Sequence, residues 1–450
     1  MSAVQRPLVV REEKSRSVGA DEARRRVHKF LTAEAGAQSA PGGVAQQIQK
    51  LLNALAPQAS SSDDSDGDYS CEGNAKMAFS YAGGDPRLDG QLLLVDKSRG
   101  GDGDGAQGAA ELGRRQAAGD FSARVVGRLL GARYVLERRH VRVGRGFLER
   151  LGALAARQRP AHRAGTQVDC TQQYAALMRN MLAGQRAGGA HTVTVELKPK
   201  WGFLPRSGHI APAHAVKRQV CRYCMQQHLK RGAAGVSALC MLDLFSDRPA
   251  RVEAALRCLA QSPQNNMRVF LDGSPVDGRF ADRVPRWAAL QRALARILLA
   301  ERVLRTLADC QRRLDALDVE GLFPVYQRAL ASGELPDREP EIAEWLDAVA
   351  AFQDRPATGA PPGARQAVLE FLLSMVLKDI SLMVTIEGWP PRDEEPAGDD
   401  EALPEYRVAV VDTEPKKLAN MPRYLARDQA VVARYLELHP DPAQWKTCQE

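Results

Sequence analysis

With 450 residues, 44% hydrophobic and 26% charged, the chain can bury a sizeable core and should divide by length into two or three domains. A balance of 62 basic against 55 acidic residues gives a net charge of +7, which fits a polyanionic partner without naming one. Aromatic content is 6% with no basic stretch interleaved with aromatics, and no apolar run reaches about twenty residues, so neither nucleic acid nor a membrane is expected as a partner.

The first thirty residues lack a hydrophobic signal core, and Glu12, Glu13, Asp21 and Glu22 argue against a transit peptide, so the cytoplasm, the nucleus or both is expected; a monomer is expected as well. Residues 1–65, rich in Ala, Gln, Ser and charge, read as a flexible extension with one helix over 44–55 and an acidic linker ending at Asp68. A compact core should start near Tyr69. Residues 77–81 and 91–95 read as paired strands, and the glycine-rich stretch 100–119 as a surface loop without regular structure. Residues 147–156 and 174–181 have helical or buried-strand character.

Residues 191–196 alternate polar with β-branched side chains, the period of a half-buried strand. If the extended geometry continues, Glu196, Lys198 and Lys200 share one face. Pro199 removes a backbone donor and Gly202 permits a sharp exit, so the lysines sit where a strand ends. A solvated edge strand is the competing reading. Beyond residue 205 the pattern turns helical: 248–261 with Ser246 or Asp247 as cap, then two helices over 287–317 ending near Gly321, then 364–377. That last helix leads into Lys378-Asp379 and an apolar strand over 380–386. An acidic loop over 388–405 follows, then a strand over 408–411 that delivers Asp412, and a helix over 418–438. The outline is α+β, a two-lobed protein-kinase-like fold with a strand-rich N-lobe over 66–180 and a helix-rich C-lobe over 181–450.

Phosphoryl transfer needs a cover for the nucleotide phosphates, carboxylates for magnesium, cations for developing charge and a group to orient the hydroxyl. The segment Tyr69-Ser-Cys-Glu-Gly-Asn-Ala-Lys-Met77 stands where a covering loop could lie, although only Gly73 gives it free backbone, and a plain turn is the alternative. Asp379 and Asp412, at a helix-to-strand junction and a strand end, could hold metal and accept a proton; pairing of Asp379 with Lys378, and solvation of Asp412, are the alternatives. Basic residues recur at Arg163, Lys198, Lys200, Lys230, Arg268, Lys416, Lys417 and Arg423, although most lysines and arginines of any protein are simply solvated surface.

The eight cysteines, at 71, 170, 221, 224, 240, 258, 310 and 448, are too sparse for a disulfide scaffold. Only Cys221 and Cys224 form a CxxC, with His209, His214 and His228 as the nearest further metal ligands, and the segment reads as plain helix.

Seven ordered blocks carry a resemblance: Glu196-Leu-Lys-Pro-Lys-Trp-Gly-Phe-Leu-Pro205, Cys221-Arg-Tyr-Cys-Met-Gln-Gln-His-Leu-Lys230, Leu242-Asp-Leu-Phe-Ser246, Pro263-Gln-Asn-Asn-Met-Arg-Val-Phe270, Leu314-Asp-Ala-Leu-Asp-Val-Glu-Gly321, Lys378-Asp-Ile-Ser381 and Val411-Asp-Thr-Glu-Pro-Lys416. Together they resemble the inositol-pentakisphosphate 2-kinase family. The resemblance implies transfer of the ATP γ-phosphate to the axial 2-hydroxyl of inositol pentakisphosphate, giving inositol hexakisphosphate (phytate), with ATP and Mg2+ as cofactors. It implies Asp379 as catalytic acid and, with Asp412, as metal ligand. Glu72, Gly73, Asn180, Glu196, Arg268 and Asp412 fall on the nucleotide side. Arg163, Lys198, Lys200, Lys230, Asn265, Asn266, Lys416 and Tyr424 fall on the substrate side.

Departures from the family pattern bear on ATP more than on substrate. Ser70 and Cys71 replace Arg and Gly in the covering loop, Lys76 stands for Asn, Leu94 for an arginine, and Asn420 for another arginine with Arg423 nearby. No Cys/His cluster follows residue 311, so the zinc site of some family members is expected to be absent. Five phosphates carry about −7.5 to −10 charges, so the site needs many convergent cations drawn from both lobes. A catalytically weak inositol-phosphate-binding protein is the second reading. A protein kinase is a poor fit, because no His-Arg-Asp pattern followed by Asn is present.

Overall fold

The computed structural model describes residues 69–72, 76–81, 88, 90–98, 108–158, 165–184, 189–231, 235–336, 338–356, 362–391 and 403–450. The expected extension over 1–65, with its helix over 44–55, lies outside the described residues, as do Gly73 and Arg163. The chain divides into two compact units, one running to Gln116 and resuming over Glu137–Asn180, the other formed by Ala117–Leu136 with Met181–Glu450. Strands dominate the first and helices the second, which fits the two-lobed kinase-like expectation.

The first unit is built on an antiparallel sheet. Strands β1 (Tyr69–Glu72), β2 (Lys76–Ser80), β3 (Gln91–Ser98), β4 (Arg139–Arg142) and β6 (Tyr174–Arg179) run in the order β1-β2-β3-β6-β4, while β5 (Gln167–Val168) pairs with β3. Met77 faces Val95 and Phe79 faces Leu93 across the β2–β3 ladder. These side chains bury against Phe147, Leu148, Leu151 and Ala155 of the Arg145–Gln158 helix, whose apolar residues recur every three or four positions. The expected structureless loop over 100–119 is corrected over its second half, where Gly108–Asp120 is helical. Glycine content pointed to a loop, but Glu111 accepts the backbone N–H of Gln173 at 3.0 Å and pairs with Arg115, which also reaches Asp96. Long-range contacts here override local propensity.

The second unit contains a five-stranded antiparallel sheet ordered β11-β10-β7-β8-β9, with β7 His191–Leu197, β8 Met267–Leu271, β9 Ser274–Pro275, β10 Ser381–Trp389 and β11 Tyr406–Val411. Residues 381–386 of central β10 are all buried, the mark of a strand covered on both faces. The preceding Ala364–Leu377 helix is apolar nearly all round, with Val368 to Ser374 all buried, because other helices surround it.

Residues 117–136, expected in the N-lobe, group with the second unit. The reason is packing: Phe121, Val125, Val126, Leu129 and Leu130 enter the large core, Phe121 meets Trp345 edge-on at 5.4 Å, and Val135 bridges Val410. Beside Gly108–Asp120, the long helices Asp318–Ala331 and Ile342–Asp354 also went unforeseen. Gly321 lies within the first of these instead of ending a helix, and a Cβ there would sit 2.5 Å from that of His209. The expected Ser246 or Asp247 cap also fails: helix Pro249–Gln261 is preceded by Arg248 without a side-chain cap, and Pro249 supplies a helix-ready φ. Among the described residues no helix is long and apolar enough to cross a membrane.

A buried ion cluster holds the Met421–Leu438 helix in place. The Lys217 ammonium reaches Asp318 at 2.5 Å, Asp428 at 2.8 Å and Glu320 at 2.9 Å, and Arg222 pairs with Asp428 at 3.1 Å. Burial alone would lower the Lys217 pKa, but Asp428 and Asp318 raise it.

Candidate active site

Antiparallel register brings three strand ends together. Leu382 pairs with Leu197 across β10–β7, and Ser381 with Val411 across β10–β11. The residues just beyond these pairs are Lys198 and Asp412, with Asp379 two positions before Ser381. On the other side of β7, Glu196 faces Arg268.

The Lys198 ammonium donates to Ser381 Oγ at 2.6 Å and to Asp412 Oδ2 at 2.7 Å, and lies 3.3 Å from Glu196 Oε1. Ser381 donates to the same Asp412 oxygen at 2.8 Å. Arg268 stands 4.0 Å from the other Glu196 oxygen. Lys200 donates to Asp379 Oδ1 at 3.1 Å and Lys416 to Asp379 Oδ2 at 2.6 Å. Glu196 and Lys198 do share a face, but the extension to Lys200 is corrected: β7 ends at Leu197 and Lys200 adopts φ 57°, turning its ammonium to Asp379. Asp412, at φ 62°, is likewise left-handed. Such conformations cost of order 1 kcal/mol in a non-glycine residue and persist where the surroundings enforce them.

Gln311 enforces the first. Fully buried, it donates to the Lys200 carbonyl at 2.8 Å and the Leu377 carbonyl at 3.0 Å, and its own oxygen accepts the Gly202 N–H at 2.8 Å. One side chain thus fixes the lysine turn and the end of the helix that presents Asp379. Gly202 must be glycine, since a Cβ there would lie 2.6 Å from the Phe245 ring. The isosteric change Gln311→Glu keeps the acceptor for Gly202 but loses both donations, leaving buried carbonyls unpaired at about 1–3 kcal/mol each. Its KM for the phosphorylated substrate should rise several-fold with smaller loss in kcat, read from initial rates. Wild-type kinetics would show that the turn holds without it.

Burial would raise the Asp412 carboxyl, but Lys198, with hydrogen bonds from Lys198 and Ser381, holds it below the usual range. Asp379 shows the same balance, with Lys200 and Lys416 outweighing burial. Asp379 in turn acts to raise Asp412, so the two carboxylates sense each other's charge. Burial would lower Lys198, and Asp412 and Glu196 raise it. Lys378 does not pair with Asp379: it is buried, bonded to Asp315 at 2.5 Å and set 3.8 Å over the Trp201 ring.

The remaining expected site residues are less concentrated. Asn266 is buried, its side-chain amide donates to the Tyr223 hydroxyl at 3.1 Å, and its backbone carbonyl accepts the Lys198 backbone N–H at 2.8 Å. Tyr424 is half-buried against Phe371, and Asp379 acts on its phenol. Lys230 is exposed on the Arg222–Arg231 helix, and Asn265 is exposed just before β8. In the first unit, Asn180 is buried and donates to Ser80 at 3.0 Å. Glu72 belongs to β1 and its side chain lies outside the described residues, as do Gly73 and Arg163. Sequence reasoning assigned no role to Ser381 or Gln311; only Ser381, inside a quoted block, carried a signal.

Among the described residues, two groups outside this network gather potential metal ligands. Lys217 already fills the middle of Asp318, Glu320 and Asp428. The other joins Cys221 and Cys224 with Cys240 and Cys448 and with none of the nearby histidines, while the segment is helical over Arg222–Arg231 as expected.

The family model for inositol-pentakisphosphate 2-kinase matches residues 69–430. A rice protein named inositol-pentakisphosphate 2-kinase (Oryza sativa subsp. indica) is 28% identical over 422 residues, covering 83% of this chain and 94% of its own. The Arabidopsis thaliana protein of that name is 27% identical with the same coverage, and the Danio rerio one 24% identical, covering 74% of this chain and 86% of its own. The match runs through every element that carries the lysine and aspartate network, and the chain belongs to the inositol-pentakisphosphate 2-kinase family.

Proposed function

We propose that this kinase transfers the γ-phosphate of ATP to the 2-hydroxyl of inositol pentakisphosphate, with Asp379 and Asp412 holding magnesium. The carrying observation is the alternation of charge at the strand ends, Lys198 on Asp412 and Lys200 and Lys416 on Asp379. Each lysine is held by a carboxylate that a substrate phosphate can replace, so the cations are positioned before substrate arrives. The donor set suits a hard divalent cation, since carboxylate oxygens are its preferred ligands. When bound, magnesium would neutralise charge on the transferring phosphoryl group.

Asp379, released from Lys200 and Lys416, accepts a hydrogen bond from the substrate hydroxyl. Lys200 and Lys416 are what hold the Asp379 carboxyl below its usual range, so once they turn to phosphate its burial makes it a better base, able to orient the hydroxyl and take its proton as a loose phosphoryl-transfer transition state develops. Lys198 and Arg268, both set on Glu196, supply positive charge beside Asp412. A protein that only bound inositol phosphates would be weakened by carboxylates among its lysines, which favours transfer over sensing. The test incubates the purified chain with ATP, magnesium and inositol pentakisphosphate and resolves products by anion exchange. ATP-dependent inositol hexakisphosphate is expected; tight product binding without turnover would overturn the reading.

A further inference from the structure

Cys221, Cys224, Cys240 and Cys448 are all buried, with their four sulfurs within 4.8 Å of one another. Cys221 Sγ lies 3.9 Å from Cys240 Sγ, and Cys224 Sγ lies 3.8 Å from Cys448 Sγ. A disulfide needs about 2.05 Å, so these are not bonded pairs. Four thiolates about 2.3 Å from a central zinc stand about 3.8 Å apart along each edge of the tetrahedron, the spacing seen here. Buried thiols by themselves behave as small apolar groups, so what goes beyond ordinary packing here is the convergence of four sulfurs on one point. The surroundings suit a thiolate cluster: the Cys224 N–H points at Cys221 Sγ at 3.5 Å, and the ammonium of the exposed Lys446 acts on Cys224. A zinc tetrathiolate carries about two negative charges, and a nearby ammonium offsets part of them.

We propose that these four cysteines bind one structural zinc ion that fastens the segment around Cys448 to the start of the Arg222–Arg231 helix. With all four ligands from protein and none exposed, the site has no open position for catalysis. Its consequence reaches the lysine turn. Two residues past Cys448, the Glu450 carboxylate accepts the Leu204 N–H at 2.8 Å and Arg312 at 3.0 Å, pairs with Arg206, and Arg251 donates to the Gln449 carbonyl at 2.7 Å. Leu204 lies four residues beyond Lys200. Zinc therefore steadies the base of the substrate-lysine turn through Cys448 and Glu450.

The test is metal analysis of the full chain, purified reduced and without chelator from zinc-supplied medium. About one zinc per chain is expected, largely lost in Cys224→Ser and Cys448→Ser and retained in Cys170→Ser and Cys258→Ser. Removing zinc should also raise amide hydrogen exchange over residues 200–205. Should the serine variants fail to fold, replacing zinc by cobalt(II) in the unaltered protein should give the charge-transfer and ligand-field bands of a tetrahedral tetrathiolate. A folded, reduced chain without zinc, a Cys221–Cys240 or Cys224–Cys448 disulfide found by mass spectrometry, or full zinc retention in Cys448→Ser would overturn the proposal.

Discussion

Replacing Asp379 by alanine should lower turnover by about 10²–10⁴-fold, the usual range for removing a positioned proton acceptor. Inositol phosphate binding should be kept or strengthened. Asp379 holds Lys200 at 3.1 Å and Lys416 at 2.6 Å, so its loss frees two ammonium groups for phosphate. The same change removes the group that would orient the hydroxyl and one of the two carboxylates suited to magnesium. Rate and affinity should therefore move in opposite directions, an outcome that misfolding would not produce. Initial rates by anion exchange and binding by titration calorimetry separate them, and near-normal turnover would remove Asp379 from the mechanism.

Changing Lys378 to methionine should destabilise the fold by about 3–5 kcal/mol near pH 8, because it leaves Asp315 buried without a counter-charge. Both side chains are almost wholly buried, 1% and 2% exposed. Burial pushes the Asp315 carboxyl up to about 6 even against the attraction of Lys378. The folded value thus lies above the unfolded one, so the folded chain holds this proton more tightly. Stability from that proton is fully present below about pH 4 and is lost as pH rises through about 6. Without the ammonium Asp315 should titrate higher still, and the penalty should shrink at pH 5, where the carboxyl is neutral. Denaturant unfolding of both proteins at pH 5 and pH 8 measures this. An equal gap at both values would show that the lost packing over Trp201, not the lost charge, sets the cost.

Periodicity made β7 readable as a strand but not as a half-buried one: Thr192 to Val195 are all buried, because β7 lies between β10 and β8, and the Thr194 hydroxyl is satisfied by the Met181 carbonyl. It also placed Ala364–Leu377 and the strand that delivers Asp412. It failed at Gly108–Asp120, where composition suggested a loop and Glu111 and Arg115 anchor a helix through Asp96 and Gln173. It failed again at Lys200, where the expected alternation stops because Gln311, 111 residues away, bends the backbone.

By itself, the sequence determined the α+β outline, the ordered blocks of the family and the chemistry available in Lys198, Lys200, Asp379 and Asp412, since these follow from residue type and spacing along one segment. Only the tertiary structure decided which carboxylate each lysine meets, that Gln311 locks the lysine turn, and that Cys448 completes a pocket begun by Cys221, Cys224 and Cys240. Contacts between residues a hundred or more apart depend on register, helix packing and chain return, and nothing local to either partner encodes them.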